Sequence, residues 1–129
     1  MDIIQEGKKV FEIEIDALNK TKDIIGESFS AIVEAIMSCE GKIIVTGMGK
    51  PGHVSKKIAA TLASLGTPAF YLHPAEAMHG DLGMITAKDI VFAISFSGES
   101  NEILNILPNI RLIGSKLIAL TGNANSTLA

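Results

Sequence analysis

The sequence has no tryptophan and only one tyrosine and five phenylalanines among 129 residues. Its core must therefore be built mainly from Ile, Leu, Val, Ala and Met, and a chain of this length buries one core rather than two. The one cysteine, Cys39, has no cysteine partner for an internal disulfide and no neighbours at metal-ligand spacing. This pattern is typical of a reducing compartment, so we expect a cytoplasmic protein.

Long apolar runs and concentrated charge are also absent. No apolar run approaches the roughly 20 residues that cross a bilayer, and residues 1–6 do not have the basic-then-apolar pattern of a signal peptide. The net charge is −3, and the lysines are interspersed with acids rather than gathered in a strip with aromatic residues. We therefore expect a soluble protein with neither a membrane nor a nucleic acid as its partner.

The first part of the chain, about residues 1–39, is predicted to be helical. Between residues 3 and 25 the apolar positions recur mostly at helical intervals among Lys, Glu and Asp, which indicates an amphipathic helix that packs on the domain or on a second subunit. A second helix is predicted after Ser28, ending near Glu40.

Residues 40–129 alternate between strand and helix patterns, which predicts a single α/β core. Parallel strands must be joined over a distance that a helix spans, so the alternation favours a doubly wound, flavodoxin-like parallel sheet in a three-layer α/β/α sandwich. Ligands of such sheets bind beyond the carboxyl ends of the strands. The predicted strands are 42–46, 69–72, 89–94 and 117–121, and the predicted helices are 56–65 and 101–112.

Residues 47–52, GMGKPG, form a glycine-rich turn after the first predicted strand. A dinucleotide site would need an acid at the end of the second strand, where Leu72 and His73 stand, and a P-loop would need lysine in place of His53. The turn instead brings backbone amides, including that of Gly49, together with Lys50 at a helix N-terminus. This arrangement suits an anion, although Lys50 alone could be an ordinary surface lysine.

Residues 73–83 hold the densest group of proton-transfer side chains in the sequence. His79 is a natural proton carrier because the unperturbed pKa of histidine lies near neutrality. His73, Glu76 and His79 also have a spacing that zinc could accept, but no further Cys or His grouping supports a metal, and we predict none. The alternative is that His79 or Asp81 only caps a helix or ties down the loop.

A serine-rich loop, residues 95–100, precedes the predicted helix that begins near residue 101. Hydroxyl groups and backbone amides at the positive end of a helix bind phosphate, and a carboxylate one turn further on could act as a general base. The simpler alternative is N-capping alone. The predicted phosphate site comprises Ser95, Ser97, Gly98 and Ser100, with Glu102 as the carboxylate and Thr121 in another turn at the same edge of the sheet.

Taken together, residues 47–53, 73–83 and 94–102 resemble the sugar isomerase (SIS) domain, specifically the D-arabinose-5-phosphate isomerase family, and the resemblance covers the whole chain. Members of that family interconvert D-ribulose 5-phosphate and D-arabinose 5-phosphate, a precursor of the Kdo sugar of lipopolysaccharide, through an enediol. The resemblance implies Lys50 as the active-site cation, His79 and Glu102 as the proton-transfer groups, and Ser97 and Ser100 as phosphate ligands, without a cofactor. It leaves open whether Glu102 or His79 is the base.

The sequence also departs from the family pattern. Pro51 stands where serine is common and Phe96 where asparagine is common, so the substrate preference is open. Family members continue beyond the point that corresponds to Ala129, with another functional Glu and His and often a pair of CBS modules. The resemblance thus implies a single SIS domain over 1–129 that lacks its C-terminal part, in a homo-oligomer that is typically a tetramer.

A non-catalytic sugar-phosphate sensor is the main alternative, because related domains bind ligands in transcriptional regulators. A sensor needs the serine loop but has no use for Lys50, His79 and Glu102 together. Their joint presence favours the isomerase.

Overall fold

The computed structural model describes residues 2–129 in two compact units, one up to Ala35 and one from Ile36 to Ala129. The predicted N-terminal helices are confirmed as α1 (Ile3–Ile24) and α2 (Glu27–Met37). Asp2 caps α1, since its carboxylate accepts the N–H groups of Ile4 at 3.0 Å and Gln5 at 3.3 Å. None of the helices described over residues 2–129 combines the length and apolarity needed to cross a bilayer.

The second unit is an α/β structure with four parallel strands in the order β2-β1-β3-β4, which confirms the predicted fold class. Its short β-branched segments form the strands because both faces of such a sheet are covered and favour apolar residues. The elements are β1 (Ile43–Thr46), α3 (Lys50–Ser64), β2 (Ala69–Leu72), α4 (Pro74–Ala77), a 3-10 turn (Asp81–Met84), β3 (Ile90–Ile94), α5 (Asn101–Ile113) and β4 (Lys116–Leu120).

Helices cover both faces of this sheet. On one face, Ile44 and Val91 form a buried cluster with Ala77 of α4 and with Ile106 and Ile110 of α5. Helix α3 packs against β1 and β2 on the opposite face and buries its Gly52, Ser55 and Ala59. The layers are those of the predicted three-layer sandwich.

Two segments that the sequence predicts as loops are helical. Helix α3 begins at Lys50, six residues before the predicted start, because Pro51 fits the first turn and Gly49 precedes it at φ +63°. In the segment 73–83, His73 rather than His79 or Asp81 caps α4, since its Nδ1 accepts the N–H of Ala75 at 3.2 Å. Glycines and short polar runs are also typical of loops, so the sequence pattern did not predict either helix start.

Asp89 anchors the edge of the sheet where the strands begin. It is 1% exposed, and its carboxylate accepts the N–H groups of Lys42 and Thr86, each at 2.7 Å, and the Thr86 hydroxyl at 3.0 Å. The Lys42 ammonium lies 3.4 Å away. Burial tends to raise the pKa of Asp89, but the hydrogen bonds and Lys42 together outweigh it and hold the pKa below the ordinary 3.8.

We predict that Asp89→Asn lowers the free energy of unfolding by about 2 kcal/mol, because an amide nitrogen replaces one acceptor that faces buried N–H groups. The lowered pKa adds a pH signature. The carboxylate stabilises the wild type above the unfolded pKa, and this contribution is lost as pH falls through the lower folded pKa. Urea unfolding between pH 7 and pH 3 measures both effects.

The matched control is Asp16→Asn, which breaks an exposed ion pair with Lys20 and is expected to cost less than about 1 kcal/mol. Equal losses in the two variants, or an unchanged acid profile in Asp89→Asn, would contradict this account of Asp89.

Candidate active site

The connections after β1 and β3 meet at the carboxyl edge of the sheet. β1 and β3 are neighbours, yet α3, which follows β1, and α5, which follows β3, lie on opposite faces. This is the topological switch point at which open α/β sheets bind ligands. The glycine-rich turn, through Lys50 and Pro51, and the serine loop, through Phe96, border one crevice.

The glycine-rich turn is held by close backbone packing. The Tyr71 hydroxyl donates to the carbonyl of Gly47 at 2.9 Å. A Cβ at Gly52 would lie 2.7 Å from that carbonyl oxygen and 2.9 Å from the Tyr71 hydroxyl oxygen, so only glycine fits there. Gly49, the residue before α3, and Lys50, its first residue, are both exposed. The turn thus presents Lys50 at the positive end of α3.

Tyr71 was missed by the sequence analysis. Its position in an apolar strand gave no functional signal, yet it joins β2 to the turn that carries Lys50. The ammonium of Lys56 lies 5.1 Å from the centroid of its ring. Partial burial raises the pKa of Tyr71 further above neutrality, and its protonated hydroxyl donates a hydrogen bond to the Gly47 carbonyl.

A cleft of about 660 Å³ opens beside Lys50. Its lining is mostly apolar, and the exposed Lys50 supplies the charge at its border. Thr121 borders the cleft and donates its hydroxyl to the carbonyl of Phe96 at 3.2 Å. The lining residues are Lys50, Pro51, Val54, Ile94, Phe96, Leu120, Thr121 and Gly122.

The serine loop is ordered by its own hydroxyl groups. The buried Ser95 Oγ lies 2.9 Å from Ser100 Oγ and accepts the Gly98 N–H at 3.1 Å. The exposed Ser97 Oγ accepts the Glu99 N–H at 3.1 Å. Ser100 precedes α5 but makes no side-chain cap hydrogen bond, so N-capping does not account for it. Gly98 has φ +69°, a conformation that favours glycine.

His79 and Glu102 lie in the segments that follow β2 and β3 at the same edge of the sheet as Lys50. His79 is exposed between α4 and the 3-10 turn, and Glu102 is exposed in the first turn of α5. Helix α4 packs against α5. Neither residue lines the cleft beside Lys50. The structure therefore brings Lys50 and Thr121 together, and the roles of His79 and Glu102 stay predictions.

The histidine-rich segment shows no metal-binding arrangement. Over the described residues 2–129, no three His, Cys, Asp or Glu side chains are grouped so that they could hold a metal ion. His73, the first of the three residues with suitable spacing, instead uses its Nδ1 to cap α4.

Comparison with known proteins identifies the family. The SIS domain profile matches residues 36–129. The chain belongs to the SIS domain family. It is 54% identical over 128 residues to the arabinose 5-phosphate isomerase KdsD of Yersinia pestis. The matched residues make up 99% of this chain and 39% of the relative. The resemblance inferred from the three motifs is confirmed, and the chain spans about two fifths of that relative's length.

Solved SIS-domain structures share the fold. Escherichia coli CFT073 c3406, in complex with arabinose 5-phosphate, superimposes with a TM-score of 0.94 at 41% identity, covering 99% of this chain and 68% of that one. The sugar isomerase domain of the RpiR transcription factor from Sphaerobacter thermophilus is less similar, with a TM-score of 0.82 at 26% identity, covering 95% of this chain and 69% of that one. The SIS fold therefore occurs both in a sugar-phosphate complex and in a transcription factor.

We predict that Gly52→Ala lowers the free energy of unfolding by about 1–3 kcal/mol, because the added methyl group would overlap the Gly47 carbonyl and the Tyr71 hydroxyl. Chemical denaturation measures the change. Gly7→Ala in α1 is the control, since nothing lies within 4 Å of its added Cβ, and it is expected to be neutral or to stabilise by up to about 1 kcal/mol. If both variants were equally stable, the turn would be looser than its contacts indicate.

Proposed function

We propose that this chain is the sugar-phosphate-binding part of an aldose–ketose isomerase that interconverts D-ribulose 5-phosphate and D-arabinose 5-phosphate. The observation that carries the proposal is the position of Lys50, which borders an apolar cleft at the switch point next to a serine-rich helix N-terminus. The similarity of the chain to an arabinose 5-phosphate isomerase and to a protein solved with arabinose 5-phosphate supports the choice of substrate.

The serine loop would hold the phosphate. The first N–H groups of α5 have no partners within the helix and carry its positive end, and the exposed Ser97 hydroxyl lies just before them. Glu99 would repel a phosphate if it faced the loop, but its Oε1 accepts the N–H of Thr127 at 2.7 Å. The carboxylate is thereby directed toward residue 127, which supports an anion site at the loop.

The chemistry requires proton transfer between neighbouring carbons and no external oxidant. A base removes the proton from the hydroxyl-bearing carbon beside the carbonyl, the electron pair forms the enediolate, and a proton returns to the former carbonyl carbon. Lys50 would stabilise the negative charge on the enediolate oxygen. His79 and Glu102 would supply the base and the group that carries the hydroxyl proton, with their assignment left open.

A sugar-phosphate sensor is the second candidate. The SIS-type domain of a transcription factor shares this fold at a TM-score of 0.82. A sensor would bind the sugar phosphate saturably without converting it, so turnover distinguishes the two functions.

In the full-length protein, we predict that Lys50→Ala and Glu102→Gln each lower kcat/KM for D-ribulose 5-phosphate by about 10²-fold or more, because each removes a group that acts in the transition state. NMR of the sugar product measures the conversion. Lys57→Ala, on the exposed side of the same helix as Lys50, and Glu40→Gln are the controls. Saturable binding without product in the wild type would favour the sensor.

We also propose that the protein is cytoplasmic and that its product enters Kdo synthesis. We further propose that it is a homotetramer and that α1 contributes to the subunit contacts. Ile4, Phe11, Ile15 and Leu18 share one side of α1 at helical spacing, a pattern that needs an apolar partner surface. A second subunit would supply that surface.

We predict that Phe11→Glu reduces the mass of the oligomer at micromolar concentration, because it places a charge in the apolar stripe of α1. Size-exclusion chromatography with light scattering measures the mass. Lys9→Glu, on the opposite side of α1 by helical spacing, is the matched control. A tetramer that persisted in Phe11→Glu would remove α1 from the proposed interface.

A further inference from the structure

The last residues of the chain pack against the serine loop. The Leu128 N–H donates to the Gly98 carbonyl at 3.1 Å, and the Leu128 side chain is buried in a cluster with Ala93 and Ile103. Ser126 is also buried, and it lies so close to Gly98 that a Cβ there would collide with its side chain. Residues 126–128, here called the strap, thus form one wall of the serine loop.

Glu99 makes the polar contact between the serine loop and the strap. Its Oε1 accepts the Thr127 N–H at 2.7 Å, while its own N–H donates to Ser97 Oγ at 3.1 Å. The same residue therefore fixes the strap through its side chain and Ser97 through its backbone. The backbone N–H and hydroxyl of Thr127 hold the pKa of Glu99 below its ordinary value, so the carboxylate is charged at neutral pH.

We propose that Glu99 is a positioning residue, which binds the strap and thereby holds Ser97 and the N-terminus of α5 in the arrangement that binds the phosphate group. This inference rests on the proposed function, because it assigns the phosphate to the serine loop. In this role Glu99 acts in phosphate binding and does not contact the reacting carbons. The proposed proton transfers do not use its carboxylate.

The physical reason lies in the left-handed backbone at Gly98. A glycine in a loop has many accessible conformations, so the loop needs outside contacts to keep the single one that its ligand requires. The strap provides such contacts on both sides of the peptide between Gly98 and Glu99, through the Gly98 carbonyl and the Glu99 carboxylate. Without the contact between Glu99 and Thr127, the loop would have to become ordered when phosphate binds. The conformational entropy lost in that ordering would weaken phosphate binding.

The test compares Glu99→Ala with Glu99→Gln in the full-length protein, with isomerisation kinetics and with calorimetric titration of inorganic phosphate. We expect Glu99→Ala to raise both KM and the Kd of phosphate about tenfold, equivalent to about 1.4 kcal/mol. We expect kcat to change less than about threefold, since an interaction of this kind affects ground and transition states alike. Glu99→Gln should restore most of the affinity because its amide oxygen can still accept the Thr127 N–H.

Two further variants separate positioning from stability. Thr127→Pro removes the N–H that Glu99 accepts and should reproduce the loss of phosphate affinity. Glu40→Ala removes an exposed carboxylate that pairs with Lys88 at 3.5 Å near the opposite edge of the sheet and should change neither constant. Thermal unfolding of each variant establishes that the assays are made on folded protein.

Unchanged KM and phosphate Kd in Glu99→Ala would overturn the positioning role while leaving the proposed function intact. A fall in kcat at constant KM would also overturn it, since Glu99 would then act in the chemistry. If the wild type binds phosphate but isomerises nothing, the proposed function fails and the phosphate Kd still decides the role of Glu99. If the wild type neither isomerises D-ribulose 5-phosphate nor binds phosphate, both inferences fail.

Discussion

The pairing of β1 with β3 is the constraint on which the candidate site depends. Their register, from Ile43 opposite Ile90 to Thr46 opposite Ala93, brings two segments far apart in the sequence to the same edge of the sheet. Because the helices that follow these strands leave on opposite faces, a crevice opens between the two connections. Apolar burial of the strands therefore determines where Lys50 and the serine loop meet.

The two edges of the sheet carry different kinds of polar structure. At the edge where the strands begin, Asp89 is buried and satisfied by Lys42 and Thr86, which ties together the starts of β1 and β3. At the carboxyl edge, Lys50, Ser97 and Glu102 are exposed. Buried charge at one edge stabilises the sheet, whereas exposed polar groups at the other remain available to a ligand.

The parallel α/β class and the positions of the strands could be predicted from the sequence, because strand and helix periods differ clearly in apolar segments such as 42–46 and 89–94. The start of α3 and the helical turns of 73–83 could not, since Gly49 and Pro51 act through local backbone geometry and His73 through the hydrogen bond that its Nδ1 accepts. The contacts of Tyr71 with Gly47 and of Glu99 with Thr127 join residues 24 and 28 positions apart. Such contacts follow from tertiary packing and carry no local pattern.

The two departures from the family pattern, Pro51 and Phe96, both line the cleft beside Lys50. Each places an apolar side chain where the family resemblance implies a hydroxyl or an amide, so in the proposed function the sugar hydroxyl groups would form their hydrogen bonds elsewhere around the crevice. Phe96 is 83% exposed and Lys50 is also exposed, so solvent reaches both residues at the border of the cleft. In the proposed function, the apolar side chains of Pro51 and Phe96 would limit the number of sugar hydroxyl groups that the cleft itself can recognise.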